Sequence, residues 1–238
     1  MISFLPLVQL IDSAFPTGAF SHSFGLETFL QEGRVQNAGE LKEWLESYIT
    51  GSLAPMEGAV VFWAYRYAEK VISTHPESEL ARENLKLLDR RITLSKPARE
   101  SREGEIKIGK RFLHIVQELY PESGLEQYAS WIRSEECYGS NAIVHGWICA
   151  YLKQTPQAAV LTHLYAGVNS LVQNALRAMA IGQTEGQKVL NGLLQLIGRE
   201  AERLALNPPA PENLYSNTLA QEIGAMRHEI LYSRLFMS

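Results

Sequence analysis

The stretch from Pro156 to Ile181 constrains the fold most. Its apolar residues recur at three- and four-residue steps over about seven helical turns, which predicts a long buried helix. Thr155 is placed to cap this helix and Gly182 to end it. A membrane span is the alternative, but a span needs roughly 18 continuous apolar residues. Polar side chains interrupt this run at Thr162, His163, Asn169, Ser170, Gln173, Asn174 and Arg177.

The rest of the chain also favours helices, because period-3.6 patterns are common and strict alternation is scarce. We therefore predict an all-α fold, a single-domain helical bundle around the 156–181 helix. A chain of 238 residues that is 46% hydrophobic can bury such a core. Three prolines between residues 207 and 211 favour extended backbone, so the predicted bundle domain covers residues 1–206 and a proline-tethered tail covers 207–238.

The tail has a helical stripe of its own, made of Leu219, Ile223, Met226 and Ile230. An apolar stripe on a tethered segment must be covered either by the bundle or by another protein.

By contrast, the segment from Thr74 to Leu119 is highly charged, which predicts a solvated helical surface. Capping residues and prolines predict further helix starts at Ser21 (through Leu30), at Asn37 with Glu40, at Pro55, and at Thr184 with Gln187.

Charge and cysteine content narrow the functional classes. The 22 basic and 26 acidic residues give a net charge of −4, which offers no basic excess for binding nucleic acid. The two cysteines form no CxxC pair, and the first residues lack the basic segment of a signal peptide. We therefore expect a cytoplasmic protein with reduced thiols and with neither nucleic acid nor membrane as a partner.

The octapeptide GEIKIGKR at residues 104–111 has the glycine and lysine spacing of a phosphate-binding loop. Arg111 stands where the magnesium-binding hydroxyl belongs, and the context is helical, so we do not assign a nucleotide site. The histidines show no HExxH or paired i,i+4 pattern. Ser21, His22 and Ser23 are adjacent, but no nucleophile elbow surrounds them, and capping explains the serines better. These patterns give no support for catalytic residues, a bound metal or a cofactor.

Three polar, glycine-rich stretches remain, and in this order they resemble the signatures of the UreF family of urease accessory proteins. The first contains Asp12, Pro16, Gly18, Phe20, Ser21, Ser23, Gly25, Leu26 and Glu27. The second runs from the helix of Arg177 through Gly182, Gln183, Gly186 and Gln187. The third contains His228, Glu229, Tyr232, Ser233, Arg234, Leu235, Phe236 and Ser238. Ala19 departs from the second glycine that many members have there.

The resemblance implies an all-helical, cytoplasmic homodimer that is not an enzyme. It implies an adaptor that bridges the accessory protein UreD (also called UreH) and the GTPase UreG while nickel is inserted into apo-urease. A regulator of the UreG GTPase cycle is the alternative. For UreD contact, the resemblance and the tail stripe indicate His228, Glu229, Tyr232, Arg234, Leu235 and Phe236. For the dimer or the UreG-facing surface, the signatures indicate Pro16, Gly18, Ser21, His22, Ser23, Gly25, Glu27, Arg177, Gln183, Gly186 and Gln187.

Overall fold

The computed structural model describes residues 4–238. The sequence favours a short apolar segment over residues 3–12, and its first residue, Ser3, lies outside the described range. Within that range every regular element is helical, which confirms the all-α prediction. The α-helices are α1 (Leu5–Leu10), α2 (Leu26–Gln31), α3 (Ala38–Tyr48), α4 (Ala59–Ile72), α5 (Ser78–Leu94), α6 (Arg99–Leu119), α7 (Leu125–Arg133), α8 (Asn141–Tyr151), α9 (Pro156–Ala178), α10 (Gln183–Leu206) and α11 (Leu219–Arg227).

Wide, π-type turns over Ile49–Gly58 join α3 to α4 without a break. Pro55 lies inside this segment, so the prediction that it opens a new helix is wrong. A proline lacks the N–H that an α-helical turn would use, and the wider turns accommodate that loss. Short 3₁₀ turns occupy Ala19–Ser21, Pro121–Ser123, Pro211–Asn213 and His228–Ile230.

Helix α9 begins as predicted, since the Thr155 side chain accepts a hydrogen bond from Ala158 N and Pro156 takes the first position. It ends at Ala178, where Met179 turns to extended backbone, so the predicted end at Ile181 is three residues too far. Gly182 precedes α10 instead of ending α9, and no side chain caps α10. The predicted capping box at Thr184 is therefore wrong.

The centre of the bundle is shared between α9 and α8. Helix α9 buries one face, whereas every residue of α8 from Ala142 to Cys149 is buried. Gly146 explains how α8 approaches α4 so closely, because a Cβ there would lie 2.6 Å from Val61 O and 2.7 Å from Ala64 Cβ. The bundle is therefore built around α8 as well as around the predicted helix α9.

Two elements decide where the tail lies. Helix α11 packs against α2 and α6, so the chain beyond the prolines returns to the bundle. The proline-rich linker is itself held against α4, because Trp63 Nε1 donates a hydrogen bond to Pro209 O at 2.8 Å. In the described part of the chain, no helix has the length and apolar character that crossing a membrane requires.

Candidate functional site: the anchored C-terminal segment

Residues 228–238, here called the C-terminal segment, lie against the first signature stretch. The Ser238 carbonyl oxygen accepts hydrogen bonds from Ser23 N at 2.5 Å, Ser23 Oγ at 2.7 Å and Phe24 N at 3.2 Å. Phe24 and Gly25 have positive φ angles of 49° and 91°, and this turn directs successive N–H groups toward one acceptor. Two of the three signature stretches therefore meet in space.

Glu27 is the second anchor of this segment. Its carboxylate is almost fully buried and accepts hydrogen bonds from Leu235 N at 2.6 Å and Phe236 N at 3.1 Å. His228 Nε2 lies 2.9 Å from the same carboxylate. A buried carboxylate is tolerated only where donors surround it, and here the segment supplies all three of these donors.

His228 is fully buried between two carboxylates. Its Nδ1 lies 2.7 Å from Glu100 Oε2, while its Nε2 faces Glu27. Both ring nitrogens therefore have a carboxylate oxygen within hydrogen-bond distance, which is the condition for burying a polar side chain. Burial raises the pKa of Glu100, but hydrogen bonds from His228 and from Arg234, whose Nη1 lies 2.8 Å away, outweigh it and leave the pKa lowered. On the neighbouring turn, Glu229 pairs with Arg99 at 3.0 Å.

Arg177, from the second signature stretch, also reaches this site. Its Nη1 donates to Phe20 O at 2.5 Å, and its guanidinium lies 5.0 Å from the ring centre of Phe236. One turn earlier, Asn174 Nδ2 donates to His22 O at 2.7 Å. These contacts favour a structural role for Arg177 over a role as a catalytic arginine for a GTPase.

The remainder of the second stretch lies elsewhere. Gln183 and Gln187 are exposed on the first turn of α10, and Gly186 packs closely against the Leu176 side chain at the corner between α9 and α10. A Cβ at Gly186 would lie 2.9 Å from that side chain. The structure therefore divides the second signature into a part at the site and a part that shapes a helical corner.

The first stretch contains no helix start at Ser21. A 3₁₀ turn ends at Ser21, whose carbonyl accepts from Met237 N at 2.7 Å, and α2 begins only at Leu26 after Gly25. The capping prediction for Ser21 is wrong, because its backbone pairs with the C-terminal segment instead. Earlier in the loop, Gly18 adopts a φ of 85°, and Pro16 O lies 3.4 Å from Arg111 Nε.

His22 faces the C-terminal segment and not a nucleophile of its own stretch. Its Nδ1 lies 2.8 Å from Ser238 Oγ, and a Cβ added at Gly104 of α6 would overlap its ring at 2.5 Å. Burial, followed by the charge of Lys107, lowers the pKa of His22. Gly104 thus serves helix packing, and the octapeptide GEIKIGKR lies within α6.

The predicted partner-binding residues differ in exposure. Tyr232 is fully exposed and Leu235 is half exposed, whereas His228 and Phe236 are buried. The exposed residues are available to another protein in this conformation. The buried ones hold the segment in place, and the assignment of all six residues to UreD contact stays a prediction.

Helix α11 presents its apolar stripe to solvent. It contacts the bundle through small and polar residues: Gln221 Nε2 donates to Trp44 O at 2.9 Å, and a Cβ on Gly224 would lie 2.5 Å from the Phe29 ring. The outward face, here called the α11 stripe, consists of Leu219, Ile223, Met226 and Ile230, which are 70%, 46%, 50% and 80% exposed. The bundle therefore leaves the α11 stripe uncovered.

A buried ionic cluster escaped the sequence analysis. Lys96 forms ion pairs with Glu57 at 2.8 Å and with Glu105, and His163 Nε2 lies 3.2 Å from Glu57. Despite burial, Lys96 and His163 lower the pKa of Glu57 to about 2, whereas burial raises the pKa of Glu105. His145, beside His163, has its pKa lowered to about 3 by burial. No local pattern joins these residues, since Glu57 and Lys96 are 39 positions apart.

This cluster borders a cavity of about 160 Å³ whose other walls include Phe15, Phe20 and Asn169. Among residues 4–238, no three histidine, cysteine or acidic side chains are grouped in a way that could hold a metal ion. The arrangement is a network of paired charges at one wall of a mostly apolar cavity, and it identifies no reaction.

Comparison with known proteins agrees with these features. Residues 35–194 match the family model for UreF. The chain is 38% identical to the urease accessory protein UreF of Bacillus sp. (strain TB-90) over 234 residues, covering 98% of each chain. It is 37% identical to the UreF of Lachnoclostridium phytofermentans, again over 98% of both chains, and 34% identical to that of Streptococcus salivarius over 99% of this chain and 94% of the relative. With matches of this length and an all-helical fold, the chain belongs to the UreF family of urease accessory proteins.

Proposed function

We propose that this protein is a non-catalytic adaptor in urease maturation, which binds UreD (UreH) and the GTPase UreG during nickel insertion into apo-urease. Family membership supports a role beside other urease accessory proteins. We further propose that it acts in the cytoplasm as a homodimer. In this role GTP hydrolysis belongs to UreG, and the present chain contributes surfaces.

The observation that carries the proposal is the outward-facing α11 stripe. Four large apolar side chains on one helical face, with Tyr232 and Leu235 following, form an exposed patch of the kind that binds protein partners. Thr28 donates to Gly224 O within α11, and Glu27 and Ser23 hold the polypeptide that follows the stripe. A preordered apolar surface loses little conformational entropy on binding, which favours partner capture. We assign this surface to UreD.

The test changes two exposed residues of the α11 stripe and leaves the anchoring residues Glu27 and Ser23 unchanged. In the Ile223→Glu and Ile230→Glu double variant, two exposed apolar contacts become charges, and we expect the free energy of UreD binding to weaken by about 2 kcal/mol or more. Binding is measured by co-purification and by calorimetry with purified UreD. The helical content of the variant by circular dichroism shows that its fold is retained.

Leu206→Glu is the matched control, because Leu206 is 79% exposed at the end of α10 and lies outside the stripe. We expect this control to bind UreD as the natural chain does. Equal UreD binding by the double variant and the control would remove the α11 stripe from the interface.

A further inference from the structure

The buried ionic cluster leaves one carboxyl group incompletely paired. Lys96 forms ion pairs with both Glu57 and Glu105, and His163 Nε2 adds a contact to Glu57 at 3.2 Å. Oε1 of Glu105 is buried and accepts no hydrogen bond from any group in residues 4–238. Burial raises the pKa of Glu105, as expected where a shared lysine compensates a carboxylate only in part. A further positive partner would therefore stabilise Glu105.

This carboxyl group lines the cavity of about 160 Å³, whose wall is otherwise mostly apolar. Much of that wall is aromatic, and its rings are those of Phe15, Phe20, Phe24, Tyr48 and Phe112. Phe15 and Phe112 meet edge to face with their ring centres 5.6 Å apart, and Lys96 Nζ lies 5.9 Å from the ring centre of Phe24. The aromatic wall and the ionic wall are therefore neighbours.

The size of the cavity limits what it can hold. A cavity of about 150 Å³ admits one benzene-sized molecule, and this cavity is of similar volume. Phe20 lines the cavity and is also 63% exposed, so the cavity approaches solvent beside this residue. A ligand of one ring with a short polar arm fits these dimensions.

From this lining we propose that the cavity is a binding site for a small organic cation, an ammonium group carried on one short apolar or aromatic body. The ammonium group offers three donors and no acceptor, which suits Glu105. Aromatic ring faces attract the same charge, and the rings of Phe15 and Phe112 cover the apolar body. A metal ion fits less well, because no three acidic, histidine or cysteine side chains of residues 4–238 are grouped to hold one.

A series of three ligands with one common ring tests the site on the natural chain. The probes are benzylammonium, the neutral benzyl alcohol and the anion benzoate, titrated into the purified protein by calorimetry at constant ionic strength. We expect saturable binding of benzylammonium, at least about tenfold weaker binding of benzyl alcohol, and no binding of benzoate, because hydrogen bonds between charged groups are the stronger ones. A ligand that binds only the folded chain should also raise the unfolding temperature.

Glu105→Gln tests which group recognises the charge, since it keeps the shape of the side chain and removes the ionisable oxygen. We expect this variant to lose the preference for benzylammonium over benzyl alcohol. Glu103→Gln is the matched control, because Glu103 is exposed two positions earlier on the same helix. The control should keep the preference of the natural chain. Circular dichroism shows whether both variants retain their helices.

Ala166→Leu tests the cavity without changing the ionic cluster. Ala166 lines the cavity from α9, so a larger side chain there should weaken benzylammonium and benzyl alcohol alike. This variant and the three-ligand series give a result even where Glu105→Gln does not fold.

Equal affinity of the natural chain for benzylammonium and benzyl alcohol would overturn the proposal. So would an unchanged preference in a folded Glu105→Gln variant, or binding that Ala166→Leu leaves intact. All measurements use the purified chain alone, so they are independent of UreD capture by the α11 stripe, and either proposal can fail without the other.

Discussion

Individual residues far apart in sequence hold the C-terminal segment. Glu27 and His228 are 201 positions apart, and Ser23 and Ser238 are 215 apart. Each contact places a polar group of the segment on a buried partner. Losing one member of such a pair leaves the other unsatisfied, which costs more than the hydrogen bond itself contributes.

The lowered pKa of Glu100 predicts a pH-dependent contribution of this site to stability. A carboxyl group with a lowered folded-state pKa stabilises the fold above its ordinary pKa of 4.5, and this contribution is lost as the pH falls through the lowered value. We expect Glu100→Gln to unfold at lower urea concentration than the natural chain at pH 7. The difference should shrink as the pH falls below 4.5.

Urea midpoints measured from pH 7 down to the acid limit of folding check this expectation. The glutamine side chain has nearly the same shape as that of Glu100 but cannot ionise, so the substitution isolates the charge. A stability difference that is constant with pH would assign the effect to packing instead.

At the scale of elements, glycines set the approach of helices. A Cβ at position 146 would meet α4 backbone and side-chain atoms at under 3.0 Å, whereas nothing lies within 4 Å of a Cβ at Gly198 in α10. We expect Gly146→Ala to lower the free energy of unfolding by about 1–3 kcal/mol through overpacking. Gly198→Ala should raise it by up to about 1 kcal/mol, because alanine favours the helix.

Chemical denaturation of both variants measures these two opposite changes in the free energy of unfolding under the same conditions. The substitutions are identical in chemistry and both lie inside helices, so a shared effect of alanine cancels in the comparison. Destabilisation of equal size in both would contradict the close approach of α4 and α8.

The sequence predicts elements well where the signals are local. The start of α9 follows from Thr155 and Pro156, and Asn37 caps α3 by accepting from Glu40 N at 3.0 Å, as predicted. The predicted end of α9 is wrong because Gly182, four residues after the last residue of α9, also suits the start of another helix. The prediction that a helix starts at Pro55 is wrong because wide π-type turns tolerate a proline that ordinary α-helical turns reject.

The candidate site is only partly predictable. The three signature stretches stand out in the sequence, but their meeting depends on backbone N–H groups of Leu235 and Phe236, which no side-chain pattern reveals. The Glu57, Lys96 and Glu105 cluster escapes prediction for a different reason, because burial of a charge shows only once distant helices are packed. The charges along α5 indicate a solvated surface, and they gave no sign that Leu80, Leu87 and Leu94 are exposed there as well.

For the whole molecule, the question is whether residues 207–238 form a separable tail. The predicted boundary at residue 206 treats them as an appendage, yet Glu27, Ser23 and Thr28 all pair with them. We expect a chain ending at Leu206 to lose about 3 kcal/mol or more of unfolding free energy, since several buried polar groups lose their partners. Thermal and urea unfolding of the shortened chain measure this loss.

A chain cut after Tyr232 is the comparison, because it keeps α11 and His228 but loses the donors of Leu235 and Phe236. We expect intermediate stability. If the chain ending at Leu206 is as stable as the full chain, residues 207–238 are an independent appendage and the anchoring contacts contribute little.

Because Glu27 and His228 are 201 positions apart, their contact can form only late in the synthesis of the chain. At about 5–20 residues per second, the ribosome needs roughly 10–40 s to make the intervening chain. Throughout that interval the nascent protein lacks the residues that pair with the Glu27 carboxylate. Completion of this surface is therefore one of the last events in the maturation of each molecule, and newly made chains differ from finished ones at the place where we propose that UreD binds.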